Sequence, residues 1–261
     1  MEWILGGSTW GFFRSDESAS WILQSDAVQA IVTAGFGVEV WPTRGQDDPD
    51  PIPAEVERIR EACAEAPFVS VHMRGRFWSW DPAHFRKEID FAAAVGGETL
   101  VVHPICLGLS DPDDRLDRTE IERVAGYGAE RGVRLALENV RNSAWALDRA
   151  LDVLGDDPAK TNLGICIDVG HAFLSEDVES PSIRGYLGRY ERQVLHLHLH
   201  DNDGREDEHL PPGAGKIEWD LVREALRGIG FAGSAVLEVH RAGEDPVRTI
   251  TESGRFLRSS T

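Results

Sequence analysis

Short apolar runs alternate with longer amphipathic stretches along the chain, which is the pattern of β-strands that alternate with α-helices. The strand candidates are the apolar runs Trp3–Ser8, Gly37–Trp41, Phe68–Met73, Thr99–His103, Val133–Glu138, Leu163–Asp168, Val194–His198 and Ala235–Val239. The helix candidates lie near residues 19–34, 53–65, 82–95, 115–131, 143–154, 179–190, 218–229 and 244–258. The strands are continuously apolar, as expected of parallel strands covered by helices. The pattern therefore predicts eight β/α units.

The ends of these units carry residues that start and stop helices. Asp81 precedes Pro82 at a predicted helix start, and Gly132 and Gly155 follow predicted helix ends. No linker, repeat or low-complexity tract divides residues 1–261. We expect a single-domain (β/α)8 TIM barrel, which typically needs about 250 residues. An open doubly wound sheet is the alternative, but no glycine-rich phosphate-binding loop follows the first strand.

The charge balance changes the expected partners rather than the fold. Lys and Arg number 27 against 45 Asp and Glu, so the formal net charge is −18 at pH 7. Much of the affinity for nucleic acid comes from neutralising phosphates, so this charge disfavours a nucleic-acid partner without excluding a local basic groove. The three cysteines are too few and too widely spaced for a disulfide framework. With no signal peptide and no membrane-spanning apolar run in the sequence, we expect a cytoplasmic protein without a membrane partner.

The candidate chemistry lies at the ends of the predicted strands. The residues there are Glu39, His72, His103, Glu138, Asp168, His198 and Glu238. In a barrel the C-terminal strand ends surround one mouth, which is where active sites lie. Taken singly, a strand-end histidine is more often a hydrogen-bonded structural residue, and a glutamate could pair with an arginine across the barrel. The repetition on six successive strands favours a divalent-metal site, because mixed imidazole and carboxylate ligands suit ions such as Zn²⁺ and Mn²⁺.

Two segments outside the strands add candidate ligands. His171 follows Asp168 by three residues, in the predicted loop, which is close enough to serve the same site. Asp207 and His209 point the same way if their segment is extended. A solvated acidic loop is the alternative interpretation of Asp207 and Glu208.

Several further side chains have competing interpretations. His196 and His200 share a strand face with His198, so any of the three could be the ligand, and His198 best matches the strand end. Four tryptophans fall in the predicted loops after the first three strands, namely Trp10, Trp41, Trp78 and Trp80. They could stack on a sugar face or cap the pocket, although a tryptophan more often belongs to the core.

These motifs, taken in order, resemble the xylose isomerase-like TIM-barrel superfamily, which includes sugar-phosphate isomerases and epimerases and endonuclease IV. The segments that carry the resemblance are Val38–Trp41, Val101–Pro104, Leu137–Asn139, Cys166–His171, His198–Asn202 and His209–Gly215. The resemblance extends over nearly the whole chain. The set is specific for the superfamily and not for one activity.

Similarity to the ketose 3-epimerases implies a metal-dependent isomerase or epimerase of a sugar or sugar phosphate, with Zn²⁺, Mn²⁺, Co²⁺ or Mg²⁺ as cofactor. The positions that match the epimerase ligands are Glu138, Asp168, His198 and Glu238. In those enzymes the metal binds neighbouring sugar oxygens and two glutamates, here Glu138 and Glu238, move protons on opposite faces of one carbon. The candidates for substrate contact are His171, Trp10, Glu39 and Arg205. An isomerase of this kind is expected to form a homo-oligomer.

Similarity to endonuclease IV implies a different activity, a monomeric zinc phosphodiesterase that acts at abasic DNA. The matching ligands are His72, His103 and Glu138 for one zinc, Glu138, Asp168, His198 and Glu238 for a second, and His171, Asp207 and His209 for a third. The chain departs from that family, which usually has Asp-Thr-Cys-His at Asp168–His171 and Gly-Glu-Gly at Gly213–Gly215. A non-catalytic metal- or sugar-binding barrel is the third alternative.

Overall fold

The computed structural model describes residues 3–14, 24–42, 51–74, 80–155, 157–177 and 182–259. Trp78 therefore lies outside the described residues. Eight parallel strands close into a barrel in the order of the chain. They are β1 (Ile4–Ser8), β2 (Gly37–Val40), β3 (Val69–His72), β4 (Thr99–Val102), β5 (Arg134–Glu138), β6 (Leu163–Asp168), β7 (Val194–Leu199) and β8 (Ser234–Leu237). The predicted (β/α)8 TIM barrel is confirmed.

The helices predicted between the strands are present, with described ends within a few residues of the expected ones; the predicted starts at residues 19 and 179 lie outside the described residues. They are α2 (Gln24–Thr33), α3 (Pro53–Cys63), α4 (Pro82–Ala94), α5 (Arg118–Glu130), α6 (Ala144–Leu154), α9 (Ser182–Arg189), α10 (Trp219–Gly228) and α11 (Pro246–Arg258). Asp81 caps α4 as expected, since its carboxylate accepts from the backbone N–H groups of Ala83 and His84. No helix among the described residues is both long and apolar enough to cross a membrane.

Four short helices in the part of the chain that the structure describes were not predicted. They are α1 (Trp10–Arg14), α7 (Pro158–Thr161), α8 (Val169–Leu174) and a 3₁₀ turn at Pro104–Leu107. The placement of Trp10 and His171 in loops was therefore wrong. The cause for His171 is local, because the Asp168 carboxylate accepts from the His171 N–H at 2.6 Å and so caps a helix that is too short to show a periodic pattern.

The core lies inside the barrel and between the barrel and its helices. The strands pair without interruption around the ring, and β1 closes it on β8 through the pairs from Ile4 with Ser234 to Gly7 with Leu237. Residues of β2, β3, β4 and β6 are all buried. The three cysteines are free and buried. This rigid ring fixes the positions of the side chains at the C-terminal strand ends.

Candidate metal centre

Glu138, the last residue of β5, lies at the centre of the barrel mouth and is 1% exposed. Its Oε2 atom lies 3.0 Å from Nε2 of His103 and 3.2 Å from Nε2 of His72. Its Oε1 atom lies 3.1 Å from Nδ1 of His198. Both carboxylate oxygens therefore face imidazoles. We call His72, His103 and Glu138 the first ligand group.

A second ligand group surrounds Nδ1 of His198 and contains the four residues that match the epimerase ligands. This nitrogen lies 3.1 Å from Glu138 Oε1, 3.6 Å from Glu238 Oε2 and 3.9 Å from Asp168 Oδ2. All four side chains are buried. The structure thus brings together four residues from four strands that are up to a hundred positions apart in the chain.

A third ligand group lies beside α8 and contains the carboxylate of Asp207. Asp207 Oδ2 lies 3.1 Å from His171 Nε2 and 3.2 Å from His209 Nε2. Nε2 of His200 lies 3.6 Å from Asp207 Oδ1, and one atom from each of these four residues lies within 4.8 Å of all the others. The sequence prediction named three of them and left His200 as an alternative to His198.

The orientation of the histidines is that of metal ligands. In His72, His171 and His209 the Nδ1 atom lies 2.9 Å from a backbone carbonyl, of Met73, Asn139 and Glu238 respectively. A carbonyl only accepts, so Nδ1 carries a proton and donates, and Nε2 faces the carboxylates of the site as the atom that could bind an ion once it has lost its proton. This hydrogen bonding at the remote ring nitrogen is how proteins orient metal-binding imidazoles.

His198 is held in the opposite sense. Its Nε2 lies 3.1 Å from Glu39 Oε2, which leaves Nδ1 for the second ligand group. Glu39 was expected to contact substrate, but its side chain is fully buried beneath His198, where it also accepts from the Ser70 hydroxyl at 3.1 Å. Glu39 thus lies below the site, because β2 ends with Val40 and directs the preceding side chain into the barrel.

The electrostatic environment displaces the pKa values of the two glutamates in opposite directions. Burial alone would raise the pKa of Glu138, but the positive charges of His198 and His103 lower it well below its usual value. Burial raises the pKa of Glu238, and the nearby charge of Glu39 adds to this against the attraction of His198. Glu138 is therefore ionised, while Glu238 takes up a proton more readily than an ordinary glutamate.

Two tryptophans pack on histidines of these groups. The Trp10 ring lies 4.3 Å from the His209 ring, and Trp41 stacks on His72 with 4.0 Å between ring centroids. Trp41 also donates from Nε1 to Glu238 Oε1 at 3.2 Å. Trp80, in contrast, packs on Phe85 of α4.

Arg205 does not join these groups. Its side chain is 80% exposed, and its Nε lies 3.6 Å from Oδ2 of Asp203. Contact between Arg205 and a substrate stays a prediction.

Asp201, which the sequence prediction did not single out, anchors the segment that carries the third group. Its fully buried carboxylate accepts from four groups, the N–H of Asn202, Gly213 and Ile217 and the indole of Trp219, at 2.9–3.0 Å. Its backbone forms a bridge with Leu210. A signal was present in the sequence, because an aspartate two residues after a largely buried strand needs hydrogen-bond donors if it is buried too.

Comparisons with known proteins agree with the barrel fold. Residues 28–260 match the xylose isomerase-like TIM barrel family. The uncharacterized protein MJ1311 of Methanocaldococcus jannaschii is 32% identical over 166 residues, 59% of this chain and 54% of that protein. The probable endonuclease 4 of Chlorobium luteolum is 27% identical over 234 residues, 78% of this chain and 83% of that protein. The first three curated relatives, MJ1311 among them, match over about half of their own length.

Solved structures with the same fold include sugar 3-epimerases. A D-tagatose 3-epimerase-like protein superposes with a TM-score of 0.63 at 21% identity, over 98% of this chain and 96% of that one. The D-allulose 3-epimerase of a Methylomonas species, in complex with D-allulose, superposes with a TM-score of 0.70 at 18% sequence identity, over 98% of this chain and 96% of that one. The TTHB071 protein of Thermus thermophilus, soaked with ZnCl2, superposes with a TM-score of 0.63 at 23% sequence identity, over 98% of this chain and 97% of that one. At these identities the likeness shows the shared fold.

Proposed function

The chain belongs to the xylose isomerase-like TIM barrel family, and from this premise we propose that it is a divalent-metal-dependent isomerase or epimerase of a sugar or sugar phosphate. One observation carries the proposal. Two buried glutamates, Glu138 and Glu238, approach the same nitrogen of His198, and their pKa values are displaced in opposite directions. Pairs of carboxyl groups whose pKa values are separated in this way are typical of acid–base catalysts.

The residues of the second group fit a divalent ion. Three carboxylates and one imidazole supply oxygen and nitrogen donors, a set that suits Zn²⁺, Mn²⁺ or Co²⁺, and Glu39 fixes the tautomer of the imidazole. When bound, such an ion would polarise a substrate carbonyl and stabilise the negative charge that follows removal of a proton from the adjacent carbon.

The protein's own groups would then divide the proton transfer. Glu138 is ionised and can accept a proton, whereas Glu238 holds one more readily and can donate it. Trp41 restrains Glu238 by donating to Oε1, which leaves Oε2 for the reacting carbon or the ion. Epimerisation requires that the two carboxyl groups reach opposite faces of that carbon. We propose that Trp10 and His171 contact the substrate at the rim, where both side chains remain partly accessible.

The comparisons support the substrate class. The solved structures that share the fold include several sugar 3-epimerases, one of them in complex with D-allulose, and another neighbour was soaked with ZnCl2. A small polyol also suits a chain whose formal net charge is −18, which disfavours a polyanionic substrate.

The test is solvent-deuterium uptake into a panel of keto-sugars and their phosphates by the metal-loaded protein. Glu138→Gln and Glu238→Gln keep the shape of each side chain and remove its acid–base function, so each should lower uptake by about 10²–10⁴-fold. Glu218→Gln is the matched control, because Glu218 is exposed and its side chain makes no cap hydrogen bond. Circular dichroism and metal content should be recorded for every variant. Full activity in both site variants would refute the assignment.

A second candidate function, a multinuclear phosphodiesterase, is favoured by the first ligand group. His72 and His103 both face Glu138 Oε2 while His198 faces Oε1, which is the arrangement of a carboxylate that bridges two ions. This function predicts about three ions per chain and cleavage of an abasic duplex that is lost in His72→Ala. The isomerase predicts deuterium uptake and no cleavage. Sugar binding without any turnover would favour the third alternative, a binding protein.

A further inference from the structure

We infer that Asn139 is a positioning residue that fixes Asp168, a residue of the second ligand group, and His171, a proposed substrate contact. Asn139 directly follows Glu138 at the end of β5 and is fully buried. The inference rests on the proposed function for its kinetic consequences, whereas its consequences for metal affinity and hydrogen exchange hold for any reaction at this site.

The side-chain amide of Asn139 pairs with both backbone groups of Asp168. Its Nδ2 donates to the Asp168 carbonyl oxygen at 3.0 Å, and its Oδ1 accepts from the Asp168 N–H at 2.8 Å. An exchange of the amide oxygen and nitrogen would set oxygen against oxygen and nitrogen against nitrogen, so the two partners determine the orientation of the amide. A primary amide thus matches the donor and the acceptor of one buried residue.

These two bonds take the place of a continued β-ladder. The pairing of β5 with β6 ends with Glu138 opposite Cys166, and the N–H of Asn139 still donates to the Cys166 carbonyl at 3.3 Å. In a further step of a parallel ladder, the Asp168 N–H would donate to the main-chain carbonyl of Asn139, and the Asp168 carbonyl would accept from the N–H of Arg141. The side-chain amide of Asn139 supplies both partners instead.

The main-chain carbonyl that the ladder does not use holds His171. Nδ1 of His171 lies 2.9 Å from the Asn139 carbonyl oxygen and donates to it. The Asp168 carboxylate accepts from the His171 N–H at 2.6 Å, so Asn139 fixes the ring of His171 and Asp168 fixes its backbone. The other ring nitrogen, Nε2, then lies 3.1 Å from Asp207 Oδ2 at the barrel mouth, where the His171 side chain is 13% exposed.

The need to pair the backbone of Asp168 does not by itself explain this arrangement. A continued ladder would pair the same N–H and carbonyl without any side chain. The amide adds two things, the release of the Asn139 carbonyl to His171 and the turn of the chain away from β6. That turn begins at Val140, whose N–H donates to Ser143 Oγ at 2.9 Å. Asn139 therefore serves the residues of the site and not the sheet alone.

The test replaces the amide by an apolar side chain of similar shape in Asn139→Leu. The backbone groups of Asp168 then lose their partners, so Asp168 and the start of α8 are no longer held in place. Residues that orient a metal ligand typically account for about 10–100-fold in metal affinity, and we expect a loss of this size at the second group. Asn139→Ala, which leaves room for water at the two groups, is the milder variant and should weaken binding too if Asn139→Leu does not fold.

Asn162→Leu is the matched control at the opposite end of β6. Nδ2 of Asn162 also donates to two backbone carbonyls, those of Ala125 and Val133, at 2.9 and 2.8 Å. Asn162 directly precedes β6, whereas Asn139 acts where β6 ends. Because Asn162 has a left-handed φ of 56°, leucine there should destabilise the fold. Metal affinity of the folded control should nevertheless equal that of the wild type, since no residue of the ligand groups contacts Asn162 through these bonds.

Metal affinity is measured by chelator competition, and stability by urea unfolding of the metal-free protein. Hydrogen exchange of the Asp168 N–H, followed by NMR, reports on the lost bond directly and should be about 10-fold faster in Asn139→Leu than the loss of stability accounts for. With a sugar that is turned over, KM at saturating ion should rise about fivefold, the value of one hydrogen bond to the substrate. In the Asn139→Leu background His171→Ala should then change KM little, because the ring has already lost its orientation.

Each outcome decides a separate question. Wild-type metal affinity in the Asn139 variants, or an equal loss of affinity in Asn162→Leu, would overturn the inference. Additive effects of Asn139→Leu and His171→Ala on KM would overturn the link to His171. A wild type that binds an ion and turns over no sugar would overturn the proposed function, and a loss of affinity confined to the Asn139 variants would still support the inference. A wild type that binds no divalent ion would overturn both.

Discussion

Replacing Asp201 by asparagine should destabilise the protein strongly although the side chain changes by one atom. The carboxylate accepts two hydrogen bonds at Oδ1, from the N–H of Asn202 and Ile217, and two at Oδ2, from the N–H of Gly213 and the indole of Trp219. Asparagine keeps one acceptor oxygen. Its amide nitrogen would face the other two donors, which would then lose their acceptor.

The magnitude follows from these two lost bonds. A hydrogen bond to a charged acceptor contributes about 1.5–3 kcal/mol, so the loss of two gives about 3–6 kcal/mol in the free energy of unfolding. No reduction for solvent screening applies, because the side chain is fully buried. The backbone bridge between Asp201 and Leu210 does not involve the side chain, so the fold should survive the substitution.

The assay is urea unfolding of the metal-free protein, followed by circular dichroism and by tryptophan fluorescence. Asp203→Asn is the matched control, two residues further on, because its Oδ1 accepts a single N–H bond from Arg205 that asparagine can also accept. The control should change the free energy of unfolding by less than about 0.5 kcal/mol. A cost below about 1 kcal/mol for Asp201→Asn would show that the four bonds do not anchor the segment.

Two further predictions concern the ligand groups. Glu39→Gln should weaken metal binding at the second group by about 10–100-fold, because Glu39 orients His198 without being a ligand. Metal affinity is measured by chelator competition, and an affinity equal to that of the wild type would contradict the prediction. In the metal-free protein burial would lower the pKa of His171, but the charges of Asp168 and Asp207 raise it to about 10. This pKa exceeds the value of about 6.5 in the unfolded chain, so protonated His171 stabilises the metal-free fold fully below pH about 6.5, and this stabilisation is lost as the pH rises toward 10. An ion at the third group must displace the proton from His171, so it binds more tightly as the pH rises. Melting temperatures of chelated and Zn²⁺-loaded protein between pH 6 and 9 should therefore diverge, and parallel curves would contradict the prediction.

The barrel and the convergence of its strand-end residues were predictable because both depend on strand periodicity. A parallel strand covered by helices is apolar throughout, so a histidine or carboxylate at its end stands out, and barrel closure then brings such ends together. The convergence of Glu138, Asp168, His198 and Glu238 was predicted in this way. The order and the ends of the strands were enough to predict that these residues converge, since the argument used no side-chain contacts.

What could not be predicted depends on contacts between distant segments. His200 follows β7 and was one of three histidines that alternate towards the end of that strand, and its position beside Asp207 depends on the space that Gly170 leaves for its ring. Glu39 lies one residue before the end of β2. At such a position a shift of one residue decides whether a side chain faces the mouth or the interior of the barrel. Short helices such as α8 escape periodicity because they span fewer than two turns.

The position of Glu138 separates the two candidate functions and leads to a last prediction. If an ion occupies only the second group, Glu138 Oε2 remains beside His72 and His103 and can exchange protons. If a second ion occupies the first group, both oxygens become ligands and the proton affinity of Glu138 falls. An isomerase should therefore be activated by the ion at the second group and inhibited as the first group fills, with His72→Ala abolishing the inhibition and retaining deuterium uptake. A phosphodiesterase should instead gain activity up to full occupancy and lose it in His72→Ala. Metal titrations of both proteins, assayed for deuterium uptake and for abasic-duplex cleavage, distinguish these outcomes, and monotonic activation of deuterium uptake up to saturation would contradict a proton-transfer role for Glu138.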